Sequence, residues 1–153
     1  MNETTNPVLT LLEFTAKAGV RLDRFLLETG ACWDEIAPWP QDRMRGEMGE
    51  CYSNASLLSW ETGWEYVEGM ASTTGLGIPM WHAWCLDDQG RVVDPTWADG
   101  ENYFGVIIPR DVSTVVTSAT EWYGVLTNLW AYRGSLDLDD ILFRIAEANN
   151  AID

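Results

Sequence analysis

One cysteine, one histidine and one aspartate in the middle of the chain have the types and the order that acyl-transfer chemistry uses. Cys51 follows Gly49-Glu50, His82 stands in Trp81-His82-Ala83-Trp84, and Asp94 opens Asp94-Pro95-Thr96-Trp97. A thiol attacks a carbonyl carbon when a base takes its proton, a third group orients that base, and donors receive the oxyanion. His82 is the only histidine among 153 residues, so a cysteine that uses an imidazole here must use this one. Asp94 can accept from the other ring nitrogen and hold the tautomer. The backbone N–H of Cys51 is a natural oxyanion donor. The indole of Trp39 and the side chain of Gln41, on the loop before Cys51, are candidates for a second. Trp81 and Trp84 flank the imidazole and either shield it or simply pack.

These side chains need elements to bring them together. Gly49 supplies a tight opening turn, and Ala55, Leu57 and Leu58 suit a buried helix from Cys51 to Trp60, with Gly63 after its end. Cys51 then lies in the first turn, where free N–H groups and the helix dipole favour an anion, which predicts a lowered thiol pKa. Trp64 to Ala71 reads as a strand, residues 72–79 as a glycine-containing loop, and Met80 to Leu86 as the next strand. Asp87 to Gly90 makes a hairpin turn, and Arg91 to Asp94 returns antiparallel, so His82 and Asp94 fall on neighbouring strands. Asn54, a turn after Cys51, suits capping or core polar bonding.

Around this centre, helical spacing predicts an N-terminal helical hairpin over about residues 8–30. Residues 31–48 read as irregular, because Pro38 and Pro40 flank Trp39. Tyr103 to Ile108 reads as a strand, 111–120 as a short helix capped by Asp111, and 121–132 as either helix or strand. Asp137 with Asp140 caps a C-terminal helix over about 138–149. Length predicts one domain, 1–153, with its core over about 45–132.

Composition excludes several classes. Hydrophobic residues make up 46% and charged residues 22%, as in a globular chain. A net charge of −15 opposes nucleic acid and anionic membranes. It steers a cationic substrate or partner inward, although solubility alone accounts for it. Glu50 and Glu68 can meet such a substrate, with plain exposure as the default. Nine tryptophans suit half-buried positions at a groove or core edge. No run of about 18 apolar residues crosses a membrane, and the N-terminus lacks the basic and apolar regions of a signal peptide. Cys32, Cys51 and Cys85 are an odd, sparse set rather than a disulfide framework, which predicts a cytoplasmic, reducing location. His82 and Cys85 are three apart on a strand and point to opposite faces, and no paired ligand knuckle occurs, so no zinc or other cofactor is expected.

The segments Gly49-x-Cys51, Tyr66-Val67-Glu68-Gly69, His82-Ala83-Trp84 and Asp94-Pro95-Thr96, in that order, resemble the transglutaminase-like branch of the papain-like cysteine enzymes. The likeness runs from Gly49 to Trp97. It implies an α+β, papain-like fold, the transglutaminase core, with the catalytic helix packed on an antiparallel sheet. It also implies a Cys51–His82–Asp94 triad performing acyl transfer or amide hydrolysis without a cofactor. The Tyr-Ser-Asn-Ala continuation after Cys51 departs from common family forms. Arylamine acetyltransferases share the Cys, His, Asp order, and Arg45-Gly46 through Cys51 echoes their Arg-Gly-Gly-x-Cys, although Asp-Pro-Thr-Trp fits them poorly. The superfamily also holds non-catalytic domains, so a binding or inhibitor module with an acidic face is the rival expectation. On the enzyme reading the substrate is a peptide, amide or thioester. Hydrolysis and transfer differ only in the acceptor, so peptidase, amidase and acyltransferase stay open.

Overall fold

The computed structural model describes residues 5–131, 134 and 136–150. The first four residues and position 132, the expected end of the core, lie outside that range. The described chain is α+β. Helices α1 (Pro7–Lys17) and α2 (Arg21–Thr29) lead to strand β1 (Ala31–Trp33), and a long loop leads to α3 (Cys51–Thr62). Strands β2 (Glu65–Thr73), β3 (Met80–Leu86), β4 (Val92–Val93) and β5 (Gly100–Ile108) follow, then α4 (Arg110–Thr120), α5 (Leu126–Ala131) and α6 (Leu138–Ala148). The sheet order is β1-β5-β2-β3-β4, and all of these pairings are antiparallel.

The expected elements form for local reasons. Asn6 caps α1 by accepting from the N–H groups of Val8 and Leu9, and Pro7 sits at the first helical position, where its missing N–H costs nothing. Asp137 accepts from Asp140 N–H and caps α6. Two expectations need correction. Asp111 does not cap α4: Pro109 precedes the helix, and Asp111, inside its first turn, pairs with Arg144 of α6. Residues 31–33 are not irregular: they form β1, whose three residues are too few for alternation to show.

The sheet curls until its edges nearly meet. Ile36 bridges Val92 in parallel, and Val92 exchanges backbone hydrogen bonds with Glu35 and Ala37, both 2.8 Å. Trp33 on one outer strand and Ile36 against the other are thus separated by at most about 11 Å of chain. The face that closes inward carries Val67, Ala71, Trp84, Leu86, Val92, Trp97 and Tyr103, with Trp33 packed on them. In a flat sheet β1 and β3 would stand about 14 Å apart. Yet Trp33 of β1 and Trp84 of β3 meet edge to face at 6.4 Å. The outward face bears the larger core, where Ala83, Cys85, Met70, Phe104 and Val106 pack under Leu12, Leu26, Ala55, Leu58 and Ile145 of the helices.

Candidate active site

His82 shares the inward face of β3 with Trp84, while Ala83 and Cys85 point out to α3. Its ring is 1% exposed and stacks on the Trp97 indole with centroids 3.6 Å apart and planes 7° from parallel. β4 ends at Val93, so Asp94 begins the turn that follows it and stands beside the ring. His82 Nε2 donates to Asp94 Oδ2 at 2.8 Å. Asp94 Oδ2 also accepts from Tyr103 Oη at 2.6 Å, and Oδ1 accepts from the N–H groups of Thr96 and Trp97 at 2.8 and 2.9 Å. Burial alone would push this carboxyl up, but His82, Tyr103 and the Trp97 N–H bring it below the ordinary aspartate value. An ionised carboxylate only accepts, so the network assigns the proton to Nε2 and leaves the Nδ1 lone pair as the basic site.

Cys51 arrives from the outer side. Of β3, only Cys85 and Leu86 pair with β4, so the earlier part of β3 has an edge that β4 leaves open. The first turn of α3 stands at that edge, after Gly49 at φ +85°. The half-buried Cys51 sulfur faces the backbone N–H groups of Ala83 and Tyr52. Among the described residues it makes no hydrogen bond to the imidazole. Its thiol is also not lowered as the helix position predicts. Burial, with Asp94 and Glu68 adding, pushes it up to about 11, and the two N–H groups offset only part of this. A helix terminus favours a thiolate only where solvation of the anion is otherwise adequate, and here burial removes that solvation.

A latch holds Cys51's helix against Asp94's turn. Arg45 Nε donates to the Asp94 carbonyl at 3.1 Å, and Gly46 N–H to the Pro95 carbonyl at 2.8 Å. Asn54 Nδ2 donates to Thr96 Oγ1 and to the Glu47 carbonyl, each at 3.0 Å. Asn54 is therefore a polar tie, as its spacing predicts. Gly46 is required by closeness: a Cβ there would lie 2.1 Å from Asn54 Oδ1. Gly46→Ala should force Asn54 off its two acceptors and cost about 1–3 kcal/mol. A lower urea midpoint at unchanged m-value would show it; an unshifted midpoint would mean the tie carries no stability.

Other expected site residues are placed differently. Trp39 is no oxyanion donor, because its Nε1 donates to the Arg43 carbonyl at 2.5 Å while its ring lies under the Arg45 guanidinium. Gln41 is exposed on the same loop. Trp81 is half-buried on the outward face with the larger core, so the shield over His82 is Trp97 instead. Glu68 is not exposed: at 1% exposure it accepts from Tyr66 Oη, Val125 N–H and Leu126 N–H, tying the start of α5 to β2. Burial pushes its carboxyl up despite those donors. Cys85 donates to the Ala55 carbonyl, and Cys32 is exposed on β1. Among the described residues no three His, Cys, Asp or Glu side chains gather as a metal site needs, and no helix is long and apolar enough to cross a membrane. Tyr103, Trp97 and Arg45 are the participants that sequence reasoning missed. Trp97 carried a signal through its place in Asp-Pro-Thr-Trp and Arg45 through the Arg45-Gly46 echo, whereas Tyr103 carried none.

Comparison with protein-family models, with curated proteins and with solved structures returns no match.

Proposed function

We propose that this chain is a cysteine-dependent acyl-transfer enzyme of the transglutaminase-like, papain-like type, acting on an amide or thioester. The observation that carries the reading is the buried His82–Asp94 bond, with Cys51 in the first turn of α3 near enough for the Asp94 charge to push its thiol up. Cys51 Sγ attacks the carbonyl carbon as its proton passes to His82 Nδ1. The imidazolium, balanced by Asp94, returns that proton to the departing amine or thiol. Water or an amine, deprotonated in turn by Nδ1, then attacks the thioester and releases Cys51. The N–H of Cys51, at the first helical position without an intrahelical acceptor, faces the developing oxyanion. The first step asks the sulfur to leave the Ala83 N–H and meet the ring. The acid-rich surface, with a net charge of −15, favours cationic acyl donors or acceptors.

A second reading, a binding or inhibitor module without turnover, is favoured by the sulfur's lack of a bond to the imidazole. Intact-mass analysis after incubation with a peptide thioester, and separately with acetyl-coenzyme A, distinguishes them. One acyl group should appear on Cys51, and none on Cys51→Ala or on the exposed Cys32. An adduct from acetyl-coenzyme A alone would favour arylamine-type acetyl transfer. A chain that stays unmodified with both donors would favour the module.

A further inference from the structure

β5 delivers Tyr103 through an irregularity. Met70 pairs with Phe104 but Ser72 with Glu101, so Ala71 stands opposite both Asn102 and Tyr103. Asn102 takes φ 56°, a left-handed conformation that asparagine tolerates better than most residues, as a bulge of this kind requires. Its Nδ2 donates at 3.0 Å to Oγ of Ser72, which is wholly buried. Two residues earlier a side chain is excluded. A Cβ on Gly100 would lie 1.9 Å from Tyr103 Oη and 3.3 Å from Asp94 Oδ2. A bulge, a left-handed asparagine and a glycine thus all serve to set one hydroxyl on Asp94. Packing does not ask for it, since a phenylalanine ring would meet Trp84 equally well at the observed 4.9 Å.

We propose that Tyr103 is a positioning residue that sets the basicity of His82 by sharing Asp94 Oδ2 with it. The inference rests on reading His82 and Asp94 as base and orienter. With four donors on two oxygens, Asp94 has no free lone-pair site and cannot turn its carboxyl plane without breaking a bond. With His82, the Tyr103 bond helps keep Asp94 ionised, and it also draws charge from the oxygen that holds the imidazole. Other titratable or charged groups face the pair from the remaining elements: Cys51 on α3, Arg45 on the loop, Glu68 on β2 acting through Cys51, and Asp99 near Tyr103. None of these bonds the oxygen that His82 uses, whereas Tyr103 does.

Because His82 is the sole histidine, its ring resonances report on this pair alone. In Tyr103→Phe, Asp94 loses a donor and His82 loses a competitor. Both apparent titration steps of the pair should therefore move to higher pH, by about one unit each. At neutral pH the Nε2–H proton should move downfield as its bond to Asp94 strengthens. Gly100→Ala, which displaces the hydroxyl while keeping the tyrosine, should move the same resonances in the same direction. Resonances and titration superimposable on wild type in Tyr103→Phe, or steps moving apart, would overturn the inference. These readouts need no turnover. If they shift while wild type forms no acyl adduct, acyl transfer fails and the hold of Tyr103 on the ring stands. If an adduct forms and they do not shift, this inference alone falls.

Discussion

Asp94→Ala should unfold about 3–5 kcal/mol more easily than wild type at neutral pH, because it leaves four buried donors without an acceptor. For a chain of this size that is a fall in Tm of roughly 10 °C, measured by calorimetry. The loss has a pH signature. The folded carboxyl titrates below the ordinary value of 3.8. Between those two values the unfolded chain binds the proton that the folded chain does not. Stability from Asp94 is therefore complete above the ordinary value and disappears as pH falls through the folded one. The gap between wild type and Asp94→Ala should close in that acid window. Asp94→Asn separates stability from chemistry. It keeps an acceptor for the Thr96 and Trp97 N–H groups but can turn its NH2 onto the ring. His82 then carries its proton on Nδ1 and cannot accept from the thiol. Acylation should fall by about ten-thousand-fold, with a smaller loss of Tm than in Asp94→Ala. Equal acylation by Asn and Asp would remove the orienting role.

The second large effect is on thiol reactivity. With Cys51 held up to about 11, its thiolate is a minute fraction at neutral pH. Its alkylation by iodoacetamide should rise about tenfold per pH unit, roughly a thousandfold from pH 7 to pH 10, with no plateau below about 11. A preformed thiolate–imidazolium pair would instead react fast, with a plateau near neutrality. The rate should be followed at Cys51 itself by peptide mass analysis, because Cys32 is exposed and reacts in parallel. A neutral plateau would show that the resting sulfur already meets the ring. A steady rise, together with acyl adduct formation, would show that His82 acts as a general base during the attack rather than before it.

What the sequence made legible follows from how local each signal is. The alternation of β3, the Asp87–Gly90 turn and the Asp137 cap of α6 are local, and they appear in the structure as read. The same alternation placed His82 and Cys85 on opposite faces. Closure of the sheet was not legible, because it joins residues 35–37 to Val92 through backbone bonds that no side-chain pattern announces. Trp39 was misassigned because an indole N–H can be satisfied by a carbonyl four residues away. Glu68 read as an exposed charge because its partners, the N–H groups of Val125 and Leu126, lie far along the chain. The thiol was misjudged for a related reason. The helix terminus is a local property, whereas burial and the approach of two carboxylates are products of the tertiary fold.

The seam between residues 35–37 and Val92 also fixes when the site comes into being. The β2–β3 hairpin joins near neighbours in sequence, so it can assemble early. The β1–β5 ladder and the seam join residues distant along the polymer and must wait for the intervening chain to order. The Arg45 and Gly46 ties to the Asp94 turn lie just past that seam on the same loop. A nascent chain released midway through its collapse would therefore display the sulfur without an aligned proton acceptor. On the proposed reading, the pairing of base and orienter would be completed only with that last closure, whatever the sulfur does alone.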